Sequence, residues 1–127
     1  MIIEIPFKTP TVNHLYGQRP GGFGRARFIK PEARKIREKI KEICSKVPIG
    51  SLGHFDRLKL KVEVQIYENW FCKNLSVKRK DIVNREKFLI DSVFDALGLD
   101  DKLIFIHIMR KIQSTEEKAI ITIEALK

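Results

Sequence analysis

The chain reads as a single α/β domain of the α+β type, one mixed sheet with helices packed on it in a two-layer arrangement, ordered β-α-β-α-β-β over residues 1–127. Three observations predict this. Leu58, Leu60, Val62, Val64 and Ile66 alternate with Lys59, Lys61, Glu63 and Gln65, the period of a strand with one buried face. Two segments, 31–47 and 81–97, repeat apolar residues at helical spacing. A length of 127 residues suffices for one core and is too short for two domains.

Each element has its own signal. Ile2-Ile3-Glu4-Ile5 is a short strand, closed by Pro6 and Pro10. Residues 17–28 form a glycine-rich cationic loop in which Arg19, Arg25 and Arg27 interleave with Phe23 and Phe28, a mixture suited to phosphate contacts and base stacking. The loop lacks the Gly-Lys-Ser/Thr ending of a P-loop. Pro31 opens a helix at a position where its missing N–H costs nothing, and Ala33, Ile36, Ile40, Ile43 and Val47 form its apolar stripe. Pro48 and Gly50 end it. After the central strand, Trp70 and Phe71 suit a core edge, a subunit contact or a DNA-facing wedge. Two last strands, 103–112 and 119–126, flank a polar turn at 114–117 and predict an antiparallel hairpin.

Composition narrows the partners. With 43% apolar and 32% charged residues, and no apolar run near the roughly 20 residues that span a bilayer, the chain reads as a soluble protein with no membrane role. Its start lacks the basic and apolar regions of a signal peptide, which predicts a cytoplasmic protein. Cys44 and Cys72 lie far apart and read as reduced thiols, while His14, His54 and His107 do not join them at zinc-site spacing. Lys and Arg number 25 against 16 Asp and Glu, a net charge of +9 that favours nucleic acid as partner.

Within this cationic chain, six acids fall between Asp81 and Asp101, just after Lys78-Arg79-Lys80. On a helix, Ile82, Leu89, Ile90, Val93 and Leu97 share an arc of about 100°, while Asn84, Lys87, Asp91 and Asp95 share an opposite arc of about 80°. Each acid alone has an ordinary reading: Asp81 as an N-cap, Lys87 and Asp91 as a surface ion pair, Asp100-Asp101 as a turn after Gly98. Their joint occurrence beside a basic run points to a divalent metal and a phosphate backbone.

The stretch Asp81-Ile82-Val83-Asn84-Arg85-Glu86-Lys87-Phe88-Leu89-Ile90-Asp91-Ser92-Val93, followed by Asp100-Asp101, resembles the RusA family of Holliday junction resolvases. Pro10-Thr11-Val12-Asn13-His14-Leu15-Tyr16 is similar to the family's N-terminal segment. The resemblance implies a Mg²⁺-dependent endonuclease, with Mn²⁺ as a substitute. It would act as a homodimer that resolves four-way DNA junctions by paired nicks in recombination and repair. It assigns metal binding to Asp81, Asp100 and Asp101 and catalysis to Asp81, Lys87 and Asp101, and gives Asn84 and Asp91 a supporting or structural part. Arg19, Arg25, Arg27, Lys78, Arg79 and Lys80 would meet DNA. One position departs from the pattern: Val83 stands where the family has a second Asp, and valine cannot ligate. The alternative is therefore a weakly active or non-catalytic relative that binds branched DNA.

Overall fold

The computed structural model describes residues 1–9, 16–18, 27–29, 31–48, 59–79 and 82–126. Strand β1 is Ile2–Ile5, β2 is Tyr16–Gln18, β3 is Arg27–Ile29, and helix α1 is Pro31–Ser45. Strand β4 is Lys59–Glu68, helix α2 is Ile82–Leu97, and a 3-10 turn at Asp101–Leu103 leads into β5, Ile104–Gln113, and β6, Lys118–Leu126. The main sheet has the order β1-β6-β4-β5, with both helices packed on it, so the expected mixed sheet and element order are present.

The alternation of β4 is the centre of the fold. Leu60, Val62, Val64 and Ile66 are 0–2% exposed and face α1 and α2, and Lys61, Glu63, Gln65 and Tyr67 lie half-buried on the other side. Ile3 and Ile5 of β1, Ile121 and Ile123 of β6, Ile40 of α1, and Leu89 and Val93 of α2 complete the buried cluster. Burying a side chain of this kind is worth about 1.5–3 kcal/mol, so this layer contributes much of the domain's stability.

The expected hairpin of the last two strands does not form. β4 lies between β5 and β6, pairing parallel with the first and antiparallel with the second. The polar connection passes over the end of β4, where the Ser114 N–H donates to the Glu68 carbonyl at 3.0 Å. The alternating strand has one face fit for burial and two edges to satisfy, and it takes both neighbours. The cationic loop of residues 17–28 also differs from expectation at its ends, where β2 and β3 pair as a two-stranded antiparallel ladder. Its remaining residues, Arg19 and Arg25 among them, lie outside the described residues.

Trp70 belongs to the core. It is 2% exposed, its indole N–H donates to the Ile66 carbonyl at 3.1 Å, and its backbone N–H donates to Gln113 Oε1 at 2.8 Å. Phe71 sits outside at 37% exposure. Cys44 is buried, Cys72 is exposed, and both are free thiols. Among the described residues, no helix is long and apolar enough to cross a membrane.

Candidate active site

Helix α2 ends in a way that aims the next acids. Gly98 takes φ +69°, a conformation glycine adopts without a Cβ penalty. The Gly98 N–H donates to the Asp95 carbonyl at 3.2 Å and the Leu99 N–H to the Phe94 carbonyl at 2.9 Å, the paired bonds of a Schellman cap. The reversed chain then starts the 3-10 turn, with Asp100 as its N-cap: Asp100 Oδ1 accepts the Lys102 N–H at 3.0 Å. Asp100 Oδ2 lies 3.7 Å from Lys102 Nζ. The Lys102 backbone N–H, aided by the Lys102 charge and by Asp101, holds the Asp100 carboxyl below its ordinary pKa. Asp101 follows as the first residue of the turn, exposed, beside α2.

The turn and the helix enclose an open cleft of about 380 Å³ in which Lys87, Asp91 and Asp101 meet Val83, Glu86 and His107. Asp91 and Asp101 also line the neighbouring cleft, of about 490 Å³, together with Arg37 of α1 and Asp95. Asp91 is the junction between them. Burial pushes its pKa up and the charge of Asp101 adds to that rise, while Lys87 and Arg37 work against it. Two carboxylates that repel each other across an open cleft suit a hard divalent cation, which takes oxygen ligands and keeps several waters. Among the described residues, no three Asp, Glu, His or Cys side chains converge as a ready-made metal site.

The raised pKa of Asp91 makes a testable statement about stability. An acid whose folded pKa lies above its unfolded value costs stability once ionised, so the cost appears as pH rises through that window and vanishes below the unfolded pKa, about 4. Without metal, Asp91→Asn should raise the melting temperature at neutral pH and leave it unchanged near pH 3.5 (roughly, below both pKa values). A fall in melting temperature at neutral pH would refute this placement of Asp91.

The predicted residues therefore divide. Lys87, Asp91 and Asp101 share one cleft, and Asp100 shapes the turn beside it. Lys78 lies at a different place, in a cleft with Glu68 and Gln113 at the far end of β4, and Arg79 is exposed. Arg27 forms part of β3. Asp81 and Lys80 lie outside the described residues, as does the side chain of Asn84.

Sequence reasoning missed Arg37, Arg85 and Glu86, together with the partners they find in Ser92, Glu68 and His107. Arg37 Nε donates to Ser92 Oγ of α2 at 3.4 Å, which brings a cation beside Asp91. Arg85 is buried, its guanidinium donating through Nη1 and Nη2 to both carboxylate oxygens of Glu68 on β4. Glu86 is 4% exposed, with Oε1 lying 2.6 Å from His107 Nε2 on β5. Burial pushes the Glu86 carboxyl up, His107 pulls it down, and Asp91 pushes it up again. A signal for Glu86 was present: on the wheel it falls near the middle of the apolar arc of Leu89, Ile90 and Val93, about where a solvated charge does not belong. The buried face of α2 is far wider than that arc and includes Phe88, Ser92 and Phe94, because the helix wedges between α1 and β5.

A family model of the endodeoxyribonuclease RusA matches residues 6–124, a span holding both helices, every strand after β1 up to Glu124 in β6, and the cleft. No curated protein matches the chain at a significant level. With the model running over nearly all of the sequence, the chain belongs to the RusA family of endodeoxyribonucleases, whose activity is the resolution of Holliday junctions.

Proposed function

We propose that this chain is a Mg²⁺-dependent endonuclease that resolves four-way DNA junctions by paired symmetric nicks, acting as a homodimer in recombination and repair. The observation that carries the reading is the meeting of Lys87, Asp91 and Asp101 in one open cleft, in a chain of this family with net charge +9. Asp81 and Asp101 would hold the cation, with Asp100 beside them, and Mn²⁺ would substitute for Mg²⁺. Asp100 now has both oxygens turned to Lys102, so its first task is to fix the turn that presents Asp101.

A bound divalent cation supplies an activated water and neutralises charge on the phosphoryl oxygens. The chain's own residues do the rest. Lys87, exposed at the mouth of the cleft, provides a positive charge where negative charge develops on phosphate. Arg37 supplies a second cation at the adjoining cleft, placed to receive a backbone phosphate. Paired nicks need two such sites related by a twofold axis, which a C2 dimer provides. Binding rests on phosphate contacts and so falls steeply with salt.

The test is incubation of a synthetic four-way junction with the purified chain and Mg²⁺ or Mn²⁺. Symmetric nicks are expected. Tight binding without nicks in either metal would favour the alternative, a branched-DNA-binding relative, and Val83 gives that alternative its footing: it is 48% exposed and lines the cleft with an alkyl group. Val83→Asp should raise the cutting rate and the affinity for Mn²⁺. An unchanged affinity would mean that residue 83 does not face the metal.

A further inference from the structure

We propose that His107, oriented by the buried Glu86, is a catalytic residue of this site that accepts the proton of the attacking water. The inference rests on the nuclease reading above and adds to it a residue that the acidic motif does not include.

Three features of the pair carry it. His107 lines the cleft of Lys87, Asp91 and Asp101, and its side chain is 32% accessible. Behind it, Glu86 is 5% accessible and its Oε1 is sealed from water, 2.6 Å from His107 Nε2. The two atoms lie close without a well-aligned hydrogen bond, and the short separation is what pairs them. A buried carboxylate costs several kcal/mol unless a partner compensates it, and the imidazole of His107 on β5 is the group that lies beside this one. A carboxylate beside one ring nitrogen favours the tautomer with its proton there and leaves the other nitrogen free to accept one. Here it lies against Nε2, and Nδ1 has no hydrogen-bond partner among the described residues.

The surroundings suit a proton acceptor. Glu86, Lys87 and Asp91 face the imidazole's cleft from α2, and Asp101 faces it from the 3-10 turn. On β4 the neighbour across the ladder is Val62, and that face of β4 carries only Leu60, Val64 and Ile66 nearby. The step balances simply. The water oxygen bonds to phosphorus, the bond from phosphorus to the leaving sugar oxygen breaks, and one water proton passes to Nδ1. The leaving oxygen takes a proton from solvent, and the imidazolium later returns its proton to solvent. Such transfers contribute about 10²–10⁴-fold to a rate.

The pair also bears on Val83. Both Val83 and Glu86 line the same cleft one turn apart on α2, so the face that lost one acid carries another that works through a histidine.

The experiment is the pH–rate profile for junction cutting by the full chain, with junction affinity and melting temperature measured alongside. His107→Gln should lower the rate by about 10²-fold or more at neutral pH, abolish the acidic limb, and leave junction affinity unchanged. Glu86→Gln, which keeps the shape but removes the charge that orients the ring, should lower kcat by about tenfold or more while KM and junction affinity stay as in wild type. This second variant decides the matter if His107→Gln fails to fold. A Glu86→Gln kcat equal to wild type, or a His107→Gln rate within about threefold of wild type, would overturn the proposal and leave the nuclease reading standing. A wild-type chain that cuts no junction in either metal overturns both.

Discussion

Asp101→Asn will lower junction cutting by about 10³-fold or more while the chain folds and binds junctions as before, since losing about 4 kcal/mol of charge stabilisation at phosphorus costs that much rate. The expectation of intact folding comes from the way residue 101 is placed. Gly98 and Leu99 cap α2 through backbone bonds, and Asp100 caps the turn through the Lys102 N–H. None of these bonds uses the Asp101 carboxylate, so asparagine can occupy the same exposed position. The substitution also relieves Asp91 of a like charge, so the melting temperature without metal should hold or rise. Gel cleavage and band-shift measurements on one junction check both halves. Cutting within tenfold of wild type would remove Asp101 from the catalytic centre. A parallel loss of junction binding would give it a structural part instead.

Local pattern was a sound guide wherever one residue's environment was decided by its own strand or helix. β4 was legible because a central strand packs one face on helices, so that burial alternates without exception from Leu60 to Ile66. Pro31 and Gly98 marked helix ends through backbone chemistry that belongs to those residues alone. Pairing was less legible. Strands β5 and β6 face a four-residue polar connection that looks like a hairpin, and nothing in their own residues says that β4 will lie between them. The acidic cleft was legible as a face of α2, since Lys87 and Asp91 are one turn apart, and Asp101 returns to them through a turn written in Gly98 and Asp100. The buried charges were not. Arg85 finds Glu68 seventeen residues away and Glu86 finds His107 on the strand beneath it, and although the apolar arc marks Glu86 as out of place, nothing local to either α2 residue names its partner.

The ion pair of Arg85 and Glu68 carries the largest expected effect on stability. Both side chains are 3% accessible, the guanidinium reaches both carboxylate oxygens, and Arg85 Nε is buried with no partner of its own. Glu68→Gln keeps the shape and strands a buried guanidinium, at a cost of about 3–5 kcal/mol. Against a total stability of about 5–15 kcal/mol for a domain, that is enough to bring the variant near its unfolding midpoint in mild denaturant. Replacing both partners removes the stranded charge, so Glu68→Leu with Arg85→Met should recover most of the loss, as buried pairs exchanged for apolar residues of similar volume often do. The two curves separate stability from placement. The pair ties the first turns of α2 to the end of β4, and the rotation of α2 about its axis decides whether Lys87, Asp91 and Glu86 face Asp101 and His107. If the pair serves that registry, the double variant will regain its denaturation midpoint yet cut junctions more slowly than wild type. A double variant that recovers both would assign the pair to folding alone, and a Glu68→Gln chain as stable as wild type would mean that the guanidinium finds water or another acceptor at that end of the sheet.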